Sequence, residues 1–158
     1  MCKTGHTFIK QKIRETDALL GGEMSGHIFF NDRWPGFDDG IYAGARMLEI
    51  IANSEQADPF VNVPNMLSTP EINIPAEDEE KFQIVETFIK NSNFSDAKIV
   101  SIDGIRVEFD KGWGLLRPSN TSPCLVLRFE AETNEDLNEI KDIFYLGLKN
   151  IKPNINKF

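Results

Sequence analysis

Few residues in this sequence are suited to covalent cross-linking, membrane insertion or contact with polyanions. Its 158 residues include only two cysteines and two histidines. Cys2 and Cys124 stand apart, with no metal-ligand spacing and no disulfide framework. Cys124 opens an apolar strand pattern and is expected to be a small buried residue. No run of about 18 apolar residues and no signal-peptide pattern occurs, so a membrane partner is not expected and a cytoplasmic location is. Positive charge is also short: 17 Lys and Arg against 25 Asp and Glu give a net charge of −8. That balance argues against nucleic acid or an anionic membrane as partner. No internal repeat relates the two halves. Against these deficits stand 41% hydrophobic residues, twelve of the residues being Phe. Such values belong to a globular chain able to build a core, in one ordinary domain or two small ones.

Read in order, the chain gives an α+β pattern. A helical period spans 7–16, with Phe8, Ile9 and Ile13 on one face and Thr4 or His6 available as cap. A short strand over 18–20 leads into Gly21-Gly22-Glu23-Met24-Ser25-Gly26-His27, and Ile28–Phe30 resumes as strand. Asp38-Asp39-Gly40 opens a helix whose expected packing stripe is Ile41, Ala45, Leu48 and Ala52. Both aspartates read as helix caps, a common use of Asp at that position. Prolines 59, 64, 70 and 75, with polar residues between them, make 59–75 an expected linker with at most one short helix. The acidic run 76–80 reads as a dipole-favoured helix start rather than a metal site, and Phe82, Val85, Phe88 and Ile89 as that helix's buried face. Strands are expected over 98–102, 105–109, 113–116 and 124–132. Asp103-Gly104 supplies the hairpin turn between the first pair. A last helix covers 134–150, with Leu137, Ile140, Phe144 and Leu148 inward.

Two polar loops interrupt this scaffold. Arg117-Pro118-Ser119-Asn120-Thr121-Ser122-Pro123 combines a guanidinium fork, three hydroxyls and an amide between two stiffening prolines. An Arg matches phosphate oxygens in bidentate fashion, and a tight turn can aim backbone N–H groups at the same anion. The plain alternative is an ordinary polar turn. The upstream loop places Glu23, Ser25 and His27 among glycines that let a ligand approach the main chain. A carboxylate, a hydroxyl and an imidazole together suit a ligand bearing several hydroxyls, so the two loops jointly suit a phosphorylated sugar. His6 lies in a second polar, Gly-containing segment.

The strings Lys3-Thr4-Gly5-His6, Gly22-Glu23-Met24-Ser25-Gly26-His27, Gly36-Phe37-Asp38-Asp39-Gly40 and Arg117-Pro118-Ser119-Asn120-Thr121-Ser122-Pro123, in this order, closely resemble the α-D-phosphohexomutase family, in its bacterial phosphomannomutase/phosphoglucomutase branch. The resemblance covers essentially the whole chain. It implies the C-terminal part of a four-domain enzyme: a partial α/β third domain at 1–58, a linker at 59–75, and a TATA-binding-protein-like α+β fourth domain with an antiparallel sheet at 76–158. It also implies an enzyme interconverting hexose 1- and 6-phosphates through a bisphosphate. Carried over by position, Lys3, Glu23, Met24, Ser25 and His27 would bind the sugar, with His6 a candidate for proton transfer. Arg117, Ser119, Asn120 and Thr121 would grip the phosphate that is not transferred.

The family's phosphoserine motif and Asp-Gly-Asp metal loop have no counterpart here. Mg²⁺ is therefore expected to serve the complete enzyme, with no metal bound by this chain. Phosphoryl transfer needs both donor and metal, so the chain alone is expected to be inactive. Expected partners are a hexose phosphate and the missing N-terminal domains as a separate chain. Self-association through the uncovered edge of the third domain is expected as well. The alternative function is a non-catalytic sugar-phosphate-binding or interaction module.

Overall fold

In a computed structural model, residues 1–56, 58–94 and 97–158 are described. The chain divides into two compact units, Met1–Pro64 and Asn65–Phe158. Among the described residues, no helix is long and apolar enough to cross a membrane.

The first unit holds helix α1 (His6–Thr16), strands β1 (Leu20–Gly22) and β2 (Ile28–Phe30), and helix α2 (Gly40–Asn53). Gly5 takes the cap position of α1 at φ 127°, a conformation that side chains disfavour, and no side chain bonds there. Ile9 and Ile13 turn inward onto Phe29, forming a small buried cluster with Cys2 and Ala18 packed beside it. β1 and β2 pair antiparallel, Leu20 opposite Phe30 and Gly22 opposite Ile28, so residues 23–27 form the connecting loop. The expected strand over 18–20 begins instead at Leu20.

Helix α2 departs from its expected packing. It buries no residue, and the stripe assigned to the core is open, with Ile41 89% and Leu48 67% exposed. Its contacts to β2 and the following turn come from the Tyr42–Arg46–Glu49 side. Tyr42 stacks on Trp34 at 4.3 Å, and Arg46 lies over Phe30 and pairs with Asp32. These three positions lie one turn apart on one face, and their aromatic and ionic contacts, not aliphatic burial, fix the helix.

The second unit is a six-stranded antiparallel sheet covered on one face by α3 (Asp78–Asn91) and α4 (Asn134–Ile151). Its strands are β3 (Leu67–Ser68), β4 (Ile72–Pro75), β5 (Lys98–Val100), β6 (Ile105–Phe109), β7 (Gly112–Pro118) and β8 (Cys124–Ala131). β8 to β5 run as a meander, and β3 and β4 both pair with the other side of β8. Two strands thus occupy the stretch expected to be a linker. They escaped notice because Pro70 separates them and Pro75 ends the second, positions an edge strand tolerates. Across the break, buried Thr69 keeps the ladder closed: its N–H donates to Phe129 O at 2.9 Å and its Oγ1 accepts from Phe129 N–H at 3.1 Å.

Alternation along β8 turns Leu125, Leu127, Phe129 and Ala131 into a core shared with Phe88, Ile140, Phe144 and Leu148. On α3 the expected Phe82 is 49% exposed, and Lys81 is buried in its stead. Cys124 is half-buried, not buried, with its Sγ 3.6 Å from Asn73 Oδ1. Gly104 sits in the β5–β6 turn at φ 77°, where a Cβ would meet Leu116 O at 2.2 Å. Gly114 on β7 leaves room for a ring: a Cβ would stand 2.5 Å from Phe144. Gly114→Ala should therefore destabilise the second unit by about 1–3 kcal/mol, as overpacking does. Denaturant unfolding followed by tryptophan fluorescence reads this directly, and an unchanged midpoint would show that the Phe144 contact is slack.

Candidate functional site

Each unit contributes one polar constellation. In the first, the chain tightens across the β1–β2 loop. Glu23 N–H donates to His27 O at 2.9 Å and Gly26 N–H to Glu23 O at 3.0 Å, with Gly26 at φ 90°. Met24, Ser25 and His27 are exposed around this turn, whereas Glu23 is half-buried. Ser25 Oγ donates to Glu23 Oε2 at 3.2 Å. The other oxygen, Oε1, is shut off from solvent with no hydrogen-bond partner among the described residues, an acceptor open to a donor from outside the chain.

The two histidines and Asp38 come together beside this loop. Asp38 forms an antiparallel bridge with Phe29, which brings its carboxylate under the loop. Its Oδ2 lies 2.8 Å from His27 Nδ1 and 3.6 Å from His6 Nε2, and Oδ1 accepts from Ile28 N–H at 3.2 Å. The His6 ring stands edge-on to His27 at 4.9 Å and to Phe29 at 5.4 Å. Burial pushes the Asp38 carboxyl up, but the His27 hydrogen bond and charge, the Ile28 N–H and the His6 charge together hold it below its ordinary value. An ionised carboxylate only accepts, so His27 carries its proton on Nδ1. In the neutral ring Nε2 then keeps a free lone pair, the arrangement of an oriented general base.

Reading Asp38 as a helix cap is therefore corrected. Asp39 alone caps α2, accepting from Ile41 N–H at 3.0 Å and Tyr42 N–H at 2.9 Å. Two adjacent aspartates before a helix look alike in sequence, and only the bridge to Phe29 separates their roles. Lys3, expected in the sugar site, is exposed, with Nζ 5.9 Å from the Phe8 ring centre.

In the second unit the loop joins β7 to β8, and Arg117 and Pro118 form the end of β7 rather than part of the loop. Ser119 is buried, 6% exposed, and its hydroxyl shapes the turn by accepting from Thr121 N–H at 3.3 Å and Ser122 N–H at 3.1 Å. Among the described residues that hydroxyl donates to no acceptor. Buried Lys81 pins the loop from α3, donating to Ser122 O at 3.0 Å while paired with Asp78 at 2.7 Å. Asn120 and Thr121 project at the exposed tip. Half-buried Arg117 has no hydrogen-bond or ion-pair partner among the described residues.

Arg128 was missed in sequence, where it reads as an outward polar residue of an alternating strand. It faces Leu115 across the β7–β8 ladder, as Val126 faces Arg117, so both arginines lie on the sheet face away from the helices. Its Nε is shut off from solvent with no partner among the described residues. The available signal was an Arg one diagonal step from Arg117 on the same face of the sheet. By contrast Arg106, nearby on β6, bonds to Glu108 and covers the Trp113 ring at 3.8 Å.

Comparison with known proteins agrees with this division. Residues 1–62 match the family model described as phosphoglucomutase/phosphomannomutase, alpha/beta/alpha domain III, and residues 71–146 match that of the C-terminal domain. A phosphomannomutase/phosphoglucomutase of Pseudomonas syringae pv. tomato is 54% identical over 99% of this chain and 34% of its own length. A phosphoglucomutase of Neisseria gonorrhoeae is 50% identical over 91% of this chain and 32% of its own. A crystal structure of a phosphoglucomutase/phosphomannomutase family protein from Burkholderia thailandensis superposes with a TM-score of 0.88 at 48% identity, covering all of this chain and 34% of that one. The chain thus spans about a third of the length of the relatives it matches.

Because its folded pKa lies below the ordinary 3.8, Asp38 stabilises the first unit above that pH, and the contribution is lost as pH falls through the lowered value. Carboxyl carbon shifts followed through an acid titration should show this group protonating late. The acid limb of unfolding should flatten in Asp38→Asn. Protonation at or above the ordinary value would contradict the His27–Asp38 pairing.

Proposed function

Since the chain belongs to the phosphoglucomutase/phosphomannomutase family, in which it carries domain III and C-terminal domain sequence, we propose that it serves the interconversion of hexose 1- and 6-phosphates. In this reading the second unit grips a phosphate that is not being transferred. The observation that carries it is Arg117, a guanidinium without a partner among the described residues, beside a loop whose shape Ser119 and Lys81 already fix. An unpaired Arg beside preformed hydroxyl and amide donors suits a phosphate dianion, and preorganisation removes an ordering cost on binding. Arg128, with its desolvated Nε, is assigned as a second guanidinium of this site. Asn120 and Thr121 donate from the tip.

The first unit reads the sugar. Glu23 Oε1 accepts from a hydroxyl, Ser25 supports that carboxylate, and Met24 and Lys3 border the loop. His27, held by Asp38, is the proton-transfer group in preference to His6, because its Nδ1 sits at hydrogen-bond distance from the carboxylate and its Nε2 has no hydrogen-bond partner among the described residues. One fixed phosphate grip serves both half-reactions, since the 1- and 6-phosphates exchange places when the bisphosphate reorients. That grip uses remote binding energy to position the reacting end.

The phosphoryl donor and Mg²⁺ are assigned to the remaining length of the relatives. Mg²⁺ requires oxygen ligands in near-octahedral array. Among the described residues the one three-donor group is His6, His27 and Asp38, whose two nitrogens do not fit that ion. The uncovered Ile41–Leu48 side of α2 is where we place the contact with the rest of the mutase.

Calorimetric titration with glucose 1-phosphate tests the reading. Arg117→Lys should weaken binding by about 1–3 kcal/mol, because a point charge cannot replace the bidentate fork. Glu23→Gln should weaken glucose 1-phosphate more than inorganic phosphate. Superimposable curves for wild type and Arg117→Lys would falsify the phosphate assignment.

A further inference from the structure

The grouping of His6, His27 and Asp38 has a property that proton transfer does not require. Two imidazole nitrogens and one carboxylate oxygen lie within 4.8 Å of one another. All three approach from segments tied to β2. His6 opens α1 and packs edge-on against Phe29, His27 directly precedes β2, and Asp38 is bridged to Phe29. Two histidines and a carboxylate are a donor set for borderline divalent ions such as Zn²⁺ or Co²⁺, which bind such nitrogens and oxygens at about 2.0–2.2 Å. A tetrahedral ion needs its ligand atoms roughly 3.4 Å apart at those bond lengths. The Asp38 Oδ2 separations of 2.8 Å and 3.6 Å from the two rings bracket that value. The other carboxylate oxygen already accepts from Ile28 N–H at 3.2 Å, the outer-shell bond that orients a ligating carboxylate. Both histidine rings are about half exposed, leaving an entry path and open coordination positions.

We propose that His6, His27 and Asp38 form a binding site for a single borderline transition-metal ion, of Zn²⁺ or Co²⁺ type and unsuited to Mg²⁺. Binding exchanges the His27–Asp38 hydrogen bond for two metal bonds: the proton of the neutral ring passes from Nδ1 to Nε2 through solvent, freeing the Nδ1 lone pair for the ion, with no net proton release and no redox change. If His27 is the proton-transfer group of the proposed mutase reaction, an ion held there blocks it, so the site is inhibitory. That consequence rests on the functional reading; the binding site does not.

The test uses the full chain carrying Cys2→Ser, which removes the thiol packed near this cluster as a competing ligand. Zn²⁺ alone is titrated calorimetrically, and Co²⁺ alone by visible absorption. The expected result is one equivalent of each, a Co²⁺ band of the intensity given by four- or five-coordinate sites, and no heat with Mg²⁺. His6→Gln and Asp38→Asn should each weaken Zn²⁺ by more than the about 10–100-fold that loss of an outer-shell partner costs. Amide spectra of both variants establish that they fold. Absence of saturable Zn²⁺ binding, or binding unchanged in both folded variants, overturns the proposal. Neither outcome bears on phosphosugar binding, which is measured without transition metal.

Discussion

A polar atom removed from water must find a partner or cost about 1–3 kcal/mol, and both constellations of this chain are arranged by that constraint. Where protein groups meet it, they fix shape. Lys81 is buried deep enough that its ammonium must be satisfied by Asp78 and the Ser122 carbonyl, and in doing so it locks the β7–β8 loop to α3. Ser119 does the same from within, its hydroxyl collecting two backbone N–H groups. Among the described residues it goes unmet at Glu23 Oε1, Arg128 Nε and Trp34 Nε1, and the first two are the atoms that the proposed function assigns to a ligand.

The same constraint separates the roles of two neighbouring aspartates. Asp39 spends its carboxylate on the first N–H groups of α2, which any helix start requires. Asp38 instead serves Ile28 N–H and the two imidazoles. Its ionisation fixes the His27 tautomer, with the proton on Nδ1 facing the carboxylate.

Much of this was legible in sequence. Alternation along β8 from Leu127 to Ala131, the Asp-Gly turn and the spacing of Ile140, Phe144 and Leu148 placed the second unit's core, because period-2 and period-3.6 burial are local properties. The motif strings placed both loops. What could not be read depended on partners distant in the chain. β3 and β4 are too short and too proline-marked to announce themselves without β8 beside them. Lys81 gave no sign that it would displace Phe82 from the buried face, since its reason is a carbonyl 41 positions away. The aliphatic stripe of α2 obeyed helical periodicity, yet α2 meets β2 through Tyr42 and Arg46 instead. Periodicity identifies a face that seeks cover without stating what covers it.

The proposed function assigns two loops of this chain, one in each unit, to a phosphorylated hexose. Amide NMR of the chain titrated with glucose 1-phosphate, with glucose and inorganic phosphate in parallel, tests it most directly. Saturable shifts are expected at Ser119, Asn120 and Thr121 with both phosphate-bearing ligands. Shifts at Glu23, Ser25 and His27 are expected only when the sugar is present. Spectra that leave residues 117–122 unmoved at saturating glucose 1-phosphate would overturn the assignment.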